Sequence, residues 1–521
     1  MRSALARRPQ RRAAERPNWG AQETFVPAPS QGWDTETPVA ELPPTRARVL
    51  DNWLPSGVQL KVRNGYAEHV TGITGPVETL MAYNAGSNST LFAAAGANIY
   101  DVTSSGAVGA ASLGSMSTAR NSWINFTTSG GSFLWICNGV DNPRHWNGSV
   151  WATPSLTVTT FTDNDIAYVH GFKERLFFVF KNSLTLGYLP IQSIAGTVSN
   201  LPLGAVFNFG GRVLALGSLS RDGGSGVDDY LCVLTSQGEI AVFAGTNPAD
   251  ATAWALVGVY YVGDPIGDRP FVNIGGDLGV ITRNGLISVN QVMAGATEQA
   301  NAHIISAIIS TAFREAAVRG AGFTGWEAIS IPEQDLLIVN APATAETANQ
   351  FVRHRVTTGW SRFTGWNFET FEIFNSNCYA GGSDGTVYLC FNGNDDNGAD
   401  ITAAFSGPWT TLGAPVLKTL MEIRPIVTTA TRAVLRLVAR TDFRQAPPLP
   451  AWPVGTVTNA LIWGSGIWGT NLWGGEDATT RQWRAISGEG HSVSIVAEAR
   501  SNQSEFTLNG FQLRYTVGGQ V

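Results

Sequence analysis

Residues 231–243 read Leu-Cys-Val-Leu-Thr-Ser-Gln-Gly-Glu-Ile-Ala-Val-Phe, which is an apolar run, a tight polar turn and a second apolar run. The same pattern occurs about seven times between Ser105 and Asp384. Asn-Gly and Asp-Gly suit such turns because a two-residue hairpin requires positive φ, which these residues tolerate best. The turns fall at Ser105-Gly106, Asn147-Gly148, Asn182-Ser183, Gln237-Gly238, Asn284-Gly285, Glu333-Gln334 and Asp384-Gly385.

The spacing of these turns indicates one β-propeller blade per repeat. Their mean interval is about 46 residues, and four-stranded blades recur at roughly 40 to 50 residues. The flanking runs, such as 239–243 and 386–390, are short and rich in β-branched and aromatic residues, which indicates strands. The sequence therefore predicts a mainly β fold with a propeller of six or seven antiparallel blades, between about Thr74 and Leu389.

The composition fits an all-β chain with abundant turns, since the 521 residues include 58 Gly, 25 Pro and 17 Trp. Only 14% of the residues are charged. So few charges favour a surface that meets other subunits, but β-rich folds in general also carry less Glu and Lys. The net charge of −6 argues against a nucleic-acid-binding surface that spans the whole protein.

The first residues form an arginine-rich arm. Residues 1–16 contain six arginines and a single acid, and the following stretch is rich in Pro and Gly. We interpret residues 1–33 as an extended arm that reaches a partner or nucleic acid, or as a solvated tail without a role. The candidate assembly contacts in this arm are Arg7, Arg8, Arg11 and Arg12.

Residues 42–66 contain Asn52-Trp53, then Gly57, then Arg63-Asn64-Gly65-Tyr66. A second stretch ends in Cys137-Asn-Gly-Val-Asp and leads to His145-Trp-Asn-Gly. A third, from Gly187 to Gly267, contains Gly-Tyr-Leu-Pro, Gly-Thr-Asn-Pro and Gly-Asp-Pro-Ile-Gly in that order. Together these stretches resemble the tail nozzle proteins of short-tailed bacteriophages, also called tail tubular protein B or packaged-DNA stabilisation proteins.

The resemblance implies a structural virion protein without enzymatic activity. In that family the chain forms a ring, in known relatives a hexamer, which continues the DNA exit channel below the portal and adaptor and helps to retain and release the genome. The implied partners are further copies of the chain, the head-to-tail adaptor, tail fibre or spike proteins, and passing genomic DNA that is not bound sequence-specifically. The implied location is the phage tail, after assembly in the host cytoplasm.

The non-repeating flanks predict a second β domain. We assign residues 34–73 and 400–521 to this platform-like domain and residues 74–399 to the propeller, because the hairpin rhythm stops at those points. The strongest helix pattern lies at 301–319, where Ile304, Ile308 and Phe313 fall on one face. We expect this helix to pack on the side of the propeller.

Three tryptophans near the C-terminus, Trp463, Trp468 and Trp473, are each followed by Gly and recur every five residues. That spacing fits neither a helix nor a strand. Aromatic anchors between glycines could form a subunit contact, fill the core of their own loop, or stack against sugars. We take the three tryptophans as candidate assembly contacts. Their pattern departs from the better-studied nozzle proteins.

Motifs that would indicate an enzyme or a metal site are missing. The sequence has no His-Glu-x-x-His and no Walker loop, and its one Gly-x-Ser-x-Gly, at residues 381–385, falls on the predicted hairpin turn at Asp384-Gly385 and not between a strand and a helix. Asp222, Asp228 and Asp229 could supply a carboxylate pair for sugar hydrolysis, but Asp in such a glycine-rich loop more often caps turns. Residues 392–400 resemble a calcium loop in composition, but Gly398 sits one place late for the EF-hand pattern.

We therefore expect no enzymatic activity, no cofactor and no bound metal. The four cysteines lack metal-ligand spacing, and we expect buried free thiols. No stretch approaches the roughly 20 apolar residues of a membrane helix, so no membrane span is expected. The alternative to a nozzle is a propeller-type tail protein that binds a receptor or glycan, and a glycosidase is the third hypothesis.

Overall fold

The computed structural model describes residues 20–86, 88–222, 227–295, 303–429, 434–445, 447–452, 478–480, 482–502 and 504–518. The fold is mainly β and contains a β-propeller, as the repeated hairpins predict. A second β unit, here called the platform, is built from both ends of the chain. Among the described residues, no helix has the length and apolar character that crossing a membrane requires.

The N-terminal strands belong to the platform. They are β1 (Gln22–Pro27), β2 (Val49–Asp51), β3 (Trp53–Ser56) and β4 (Gln59–Val62). β1 pairs antiparallel with the last strand of the chain, and Ala28 and Trp33 are buried in the platform core. The prediction of an arm up to residue 33 was therefore wrong from Gln22 onward, because these residues exchange backbone hydrogen bonds and bury apolar side chains.

In the part of the propeller that the structure describes, there are thirty strands. They are β5 (Tyr66–Thr71), β6 (Val77–Tyr83), β7 (Thr90–Ala95), β8 (Asn98–Asp101), β9 (Gly106–Ala107), β10 (Ala111–Leu113), β11 (Ser122–Thr128), β12 (Gly131–Cys137), β13 (Arg144–Trp146), β14 (Trp151–Ala152), β15 (Leu156–Thr157), β16 (Ile166–Phe172), β17 (Arg175–Phe180), β18 (Thr185–Tyr188), β19 (Gly196–Thr197), β20 (Ser199–Pro202), β21 (Val213–Asp222), β22 (Val227–Thr235), β23 (Glu239–Gly245), β24 (Trp254–Tyr261), β25 (Phe271–Ile274), β26 (Asp277–Thr282), β27 (Gly285–Ser288), β28 (Glu327–Ile331), β29 (Leu336–Pro342), β30 (Ala348–His354), β31 (Trp360–Phe363), β32 (Phe368–Phe374), β33 (Asn377–Gly382) and β34 (Val387–Cys390).

Six sheets are separate blades, and a seventh radial position is filled by the end of a larger sheet. The six blades are β6-β7-β8-β10, β11–β14, β16-β17-β18-β20, β21–β24, β25–β27 and β32-β33-β34-β5-β9. Strands β28–β31 take the remaining position, and their sheet continues into the platform. The inner strands β6, β11, β16, β21, β25, β28 and β32 pack side by side around the axis, and β32 meets β6 to close the ring.

Strand β5 completes the last blade by pairing with β34, so the N-terminal and C-terminal ends of the propeller are hydrogen-bonded to each other. Residues 66–71 had been predicted as part of the platform. They belong to the propeller instead, because their backbone pairs with the closing blade. Residues 66–71 are not part of a hairpin repeat, so the sequence does not indicate that they pair with the distant strand β34.

Six of the seven predicted turns lie between neighbouring antiparallel strands. Ser105-Gly106 does not, because Gly106 begins β9, which pairs in parallel with β5. The blade β6-β7-β8-β10 instead has a hairpin turn between β7 and β8. Gly96 takes this turn with φ +56, in the left-handed region that glycine adopts without strain.

The rest of the platform follows the propeller. Its strands are β35 (Ile401–Ser406), β36 (Lys418–Thr429), β37 (Val434–Thr441), β38 (Ala478–Thr480), β39 (Arg484–Ala485), β40 (Glu489–Gly490), β41 (Val493–Ser501) and β42 (Phe506–Val517). One platform sheet has the order β3-β4-β42-β36-β38, and the other continues from β31 through β2, β35 and β41 to β37. The two sheets share one core, in which Phe405 and Phe511 lie 5.6 Å apart between ring centroids.

The predicted helix is shorter than expected. After α1 (Val289–Met293), helix α2 spans Ser310–Gly320 and follows a 3-10 turn at Ala307–Ile309. Ile304 and Ile305 are not helical, because they hydrogen-bond back to strand β27. Phe313 on α2 packs into the core shared with the platform, so the helix is not confined to the side of the propeller.

Candidate functional site

A buried ion pair joins the propeller to the platform. Arg63 follows β4 and is 1% exposed. Its Nη1 and Nη2 donate to the two carboxylate oxygens of Asp396 at 2.7 and 2.6 Å, and its Nε donates to Asn52 Oδ1 at 2.9 Å. The guanidinium also lies 5.0 Å from the ring centroid of Trp366. A planar guanidinium is suited to this combination of two-point pairing and stacking.

The next residues of the same segment are also fixed by packing. A Cβ atom on Gly65 would lie 1.5 Å from the carbonyl oxygen of Asp395, so only glycine fits this close approach. Tyr66 packs edge-to-face against Phe368 and Tyr388, with ring centroids 5.1 and 5.0 Å away. The Asn-Trp and Arg-x-Gly-Tyr residues that carry the family resemblance therefore lie at the joint between the two β units.

A cavity of about 670 Å³ lies on the propeller axis. Every inner strand contributes to its wall. The residues, one from each inner strand, are Leu80, Trp123, Tyr168, Leu214, Phe271, Ile329 and Phe371. The cavity has the size and the mixed apolar and polar lining that are typical of small-molecule sites.

Arg269 spans one end of this cavity and ties four radial positions together. Its Nη1 donates to Glu327 Oε2 at 2.8 Å and to the Thr370 hydroxyl at 3.0 Å. Its Nη2 donates to the Thr79 hydroxyl at 2.6 Å and to the carbonyl of Asn121 at 3.1 Å. These partners belong to different blades, so the guanidinium links several blades across the axis. We call this arrangement the Arg269 clamp.

Arg120 lines the same cavity but has very different surroundings. Its side chain is 12% exposed, and none of its three guanidinium nitrogens makes a hydrogen bond with a described residue. The closest carboxylate is that of Asp268, with Oδ2 3.6 Å from Nε. Burial lowers the pKa of Arg120, and the positive charge of Arg269 lowers it further. A buried cation with unfilled donor positions favours a ligand that accepts hydrogen bonds.

Burial favours the neutral form of two further ionisable groups in the wall, Tyr168 and Glu372. Burial raises the pKa of Tyr168 to about 12. Burial likewise raises the pKa of Glu372 to about 8, although the hydrogen bond from the Ile373 amide opposes the shift. At neutral pH both groups therefore keep a hydrogen to donate.

The predicted assembly residues Arg7, Arg8, Arg11, Arg12, Trp463, Trp468 and Trp473 all lie outside the described residues. Of the three predicted acids, only the side chain of Asp229 is described, and it pairs with Lys173 at 2.6 Å. In the loop 392–400, Asp396 is engaged by Arg63 and Asp395 accepts from the Gly398 amide. Within the described ranges, no group of three or more His, Cys, Asp or Glu residues could hold a metal ion.

The sequence reasoning missed Arg120 and Arg269 as members of a site. Each is an isolated arginine without a recognisable motif, and the residues that surround it come from distant blades. Arg63, in contrast, lies in the quoted Arg-x-Gly-Tyr motif, but its partner Asp396 is 333 residues away. The motif thus marked the position without indicating the ion pair.

The fold and the cavity define a β-propeller protein with an axial site and a platform made from the chain ends. No protein-family model and no curated protein sequence matches the chain. Among solved structures it is similar to BBS1N in complex with ARL6DN, with 11% identity, 63% of this chain and 98% of that chain covered, and a TM-score of 0.41. Raptor from Chaetomium thermophilum shows 12% identity over 63% of this chain and 29% of that chain, with a TM-score of 0.36. YCF48 from Cyanidioschyzon merolae shows 9% identity over 63% and 98%, with a TM-score of 0.27.

Proposed function

We propose that this protein is a structural virion protein that forms the tail nozzle ring of a short-tailed bacteriophage. In this role several copies, six in the family it resembles, surround the last section of the DNA exit channel. The ring lies below the head-to-tail adaptor and carries tail fibre or spike proteins. Genomic DNA passes through it without sequence-specific binding. The residues of Asn52-Trp53 and Arg63-Asn64-Gly65-Tyr66 support the proposal through their shared position at one joint.

The observation that carries the proposal is the rigid connection between propeller and platform. Domains within one chain are usually joined by linkers and move relative to each other. Here one eight-stranded sheet runs from β28 in the propeller to β37 in the platform. At its crossing point, Arg362 from β31 pairs with Asp51 from β2 through two contacts of 2.8 Å. A channel wall that must resist packaged DNA requires such a connection without a hinge.

The buried pair of Arg63 and Asp396 adds a second tie at the same joint. Breaking a buried, hydrogen-bonded ion pair by removing one partner is strongly destabilising. One tie involves Asp51 at the end of β2 and the other involves Arg63 just after β4, so the β3–β4 hairpin is held at both of its ends. This favours a structural role for the two connected β units over a pair of independently moving modules.

Immuno-electron microscopy of phage particles, with antibodies against this chain, tests the proposal. We expect label at the tail, below the neck, and a ring of six copies when the chain is imaged together with its adaptor. Six chains of 55.5 kDa correspond to about 333 kDa, which mass photometry of the assembled ring measures. Label confined to the capsid, or a single copy per tail, would refute the nozzle role.

A further inference from the structure

The axial cavity is open to solvent at the end that carries Arg120. Two residues of its wall, Val140 and Asp268, have side chains that are 52% and 66% exposed. Arg120 lies just inside this mouth, beside Asp268. A ligand can therefore enter from solvent and reach the guanidinium of Arg120.

Arg120 stands out among the polar groups of the wall, most of which have hydrogen-bond partners. Arg120 makes no hydrogen bond through any of its guanidinium nitrogens. The hydroxyl of Tyr168 makes no hydrogen bond to a described residue, and burial raises its pKa to about 12, so it stays protonated at neutral pH. Leaving a buried donor unsatisfied is unfavourable, and a carboxylate that accepts two parallel N–H bonds from arginine is the strongest common solution.

The apolar part of the wall consists largely of aromatic rings. Trp123, Phe271 and Phe371 come from three different inner strands and face the same cavity. An aromatic face that lines a cavity can pack against the C–H face of a sugar ring.

We propose that the axial cavity binds a saccharide that carries a carboxylate, with Arg120 holding the carboxylate and Trp123 packing against the sugar ring. Four carboxyl groups interact with the charge of Arg120: Asp268, Glu327, Glu78 and Glu369. Glu327 is already neutralised by Arg269, and burial raises the pKa of Glu369. Asp268 is the acid that competes directly for Arg120, and its exposed side chain can turn toward solvent when the ligand binds.

Isothermal titration calorimetry and saturation-transfer NMR on the full chain test the proposal. The probes are N-acetylneuraminic acid, glucuronic acid and a galacturonic acid trimer, and the comparison compounds are a neutral galactose trimer and acetate. We expect at least one acidic saccharide to bind at least tenfold more tightly than both comparison compounds. No binding of the three acidic saccharides at about 10 mM overturns the proposal. If acetate binds as tightly as the acidic saccharides, the cavity is only an oxyanion site and the proposal is overturned. If the neutral trimer binds as tightly, Arg120 does not hold a carboxylate and the proposal is also overturned.

Variants separate this site from non-specific binding. Arg120→Gln should weaken the acidic saccharide about tenfold or more, whereas Arg319→Gln, an exposed arginine on α2, should not change it. Asp268→Asn should bind more tightly, because the competing carboxylate is gone. An unchanged affinity in Arg120→Gln overturns the proposal. If Arg120→Gln does not fold, the proposal is overturned by an unchanged or weaker affinity in Asp268→Asn. Neither binding result tests the nozzle role.

Discussion

Arg269 connects segments that are distant in the chain, as Arg63 does at the joint. Its pairing partner Glu327 is only 8% exposed, so removal of the guanidinium leaves a buried carboxylate without compensation. We expect Arg269→Met to lower the free energy of unfolding by about 3–5 kcal/mol. Chemical denaturation followed by tryptophan fluorescence measures the change.

The matched control for Arg269→Met is Lys61→Met. Lys61 pairs with Glu505 at 2.8 Å, but both side chains are substantially exposed. Such surface pairs contribute about 0–1 kcal/mol. If the two variants lose similar stability, Arg269 is not a clamp across the axis.

Glu372 makes stability depend on pH in the opposite sense to most carboxylates. Burial raises its folded-state pKa from the ordinary 4.5 to about 8. The folded state therefore binds this proton more tightly, and the contribution to stability is complete below pH 4.5 and lost as pH rises through about 8. We expect Glu372→Gln to be more stable than the wild type above pH 8, by at most about 1.4 kcal/mol for each unit of pKa shift.

Thermal unfolding of both proteins across the pH range measures this difference. The two curves should converge below pH 4.5, where Glu is protonated in the folded and unfolded states alike. A constant difference at all pH values would show that the substitution acts through packing and not through the proton.

Among the elements, the closing blade offers a direct test of strand register. Strands β33 and β34 pair Tyr379 with Leu389 and Ala380 with Tyr388, which places Cys378 opposite Cys390. Opposite residues in antiparallel strands have Cα atoms about 4.5–5.5 Å apart, a separation that a disulfide spans. Both thiols are free and buried.

Because burial raises the pKa of Cys390 and shields both thiols, we expect oxidised glutathione to convert this pair into one intramolecular disulfide, releasing two molecules of reduced glutathione, at alkaline pH under conditions that open the blade locally. Peptide mass spectrometry should show a cross-link between Cys378 and Cys390, while Cys137 and Cys232 remain reduced because each lies in a different sheet. Cys378→Ser should abolish the cross-link. A disulfide involving Cys137 or Cys232 would contradict the register.

The blades were predictable from sequence because hairpins are local. Apolar runs around short turns specify β17–β18 or β22–β23 without reference to the rest of the chain. The eight-stranded sheet was not predictable, because β31 meets β2 across more than 300 residues. The helix boundary failed for the same reason, since Ile304 pairs with β27 despite its helical spacing. The axial site was missed because its residues meet only once the ring closes.

At the scale of the whole molecule, the platform presents both ends of the tryptophan-rich segment. Before that segment, Trp452 lies between Arg436 and Arg500, which are 4.2 and 4.1 Å from its ring centroid. These arginines belong to β37 and β41, in one platform sheet. Stacking of a guanidinium on an indole contributes about 0.5–2 kcal/mol, so the start of the segment is firmly attached.

The far end is held in the same way on the other sheet. Trp483 lies between Arg424 and Arg514, at 4.8 and 4.4 Å, and these arginines come from β36 and β42. Trp452 and Trp483 are therefore fixed on different platform sheets. If the chain has the proposed nozzle role, this placement favours the platform, and not the propeller, as its docking surface.

We expect Trp468→Ala combined with Trp473→Ala to leave the propeller folded and to weaken assembly of the ring or its attachment to the adaptor. An aromatic anchor truncated at an interface commonly costs about 2 kcal/mol or more, which corresponds to a roughly 30-fold loss of affinity for each anchor. Quantitative mass spectrometry of phage particles measures the copy number, and circular dichroism of the isolated chain measures folding. Trp151→Ala is the control, because Trp151 packs on Trp146 within a blade and should affect local stability without affecting incorporation. A normal copy number and unchanged particle stability in the double variant would mean that Trp468 and Trp473 serve only their own core, and that the platform docks through another surface.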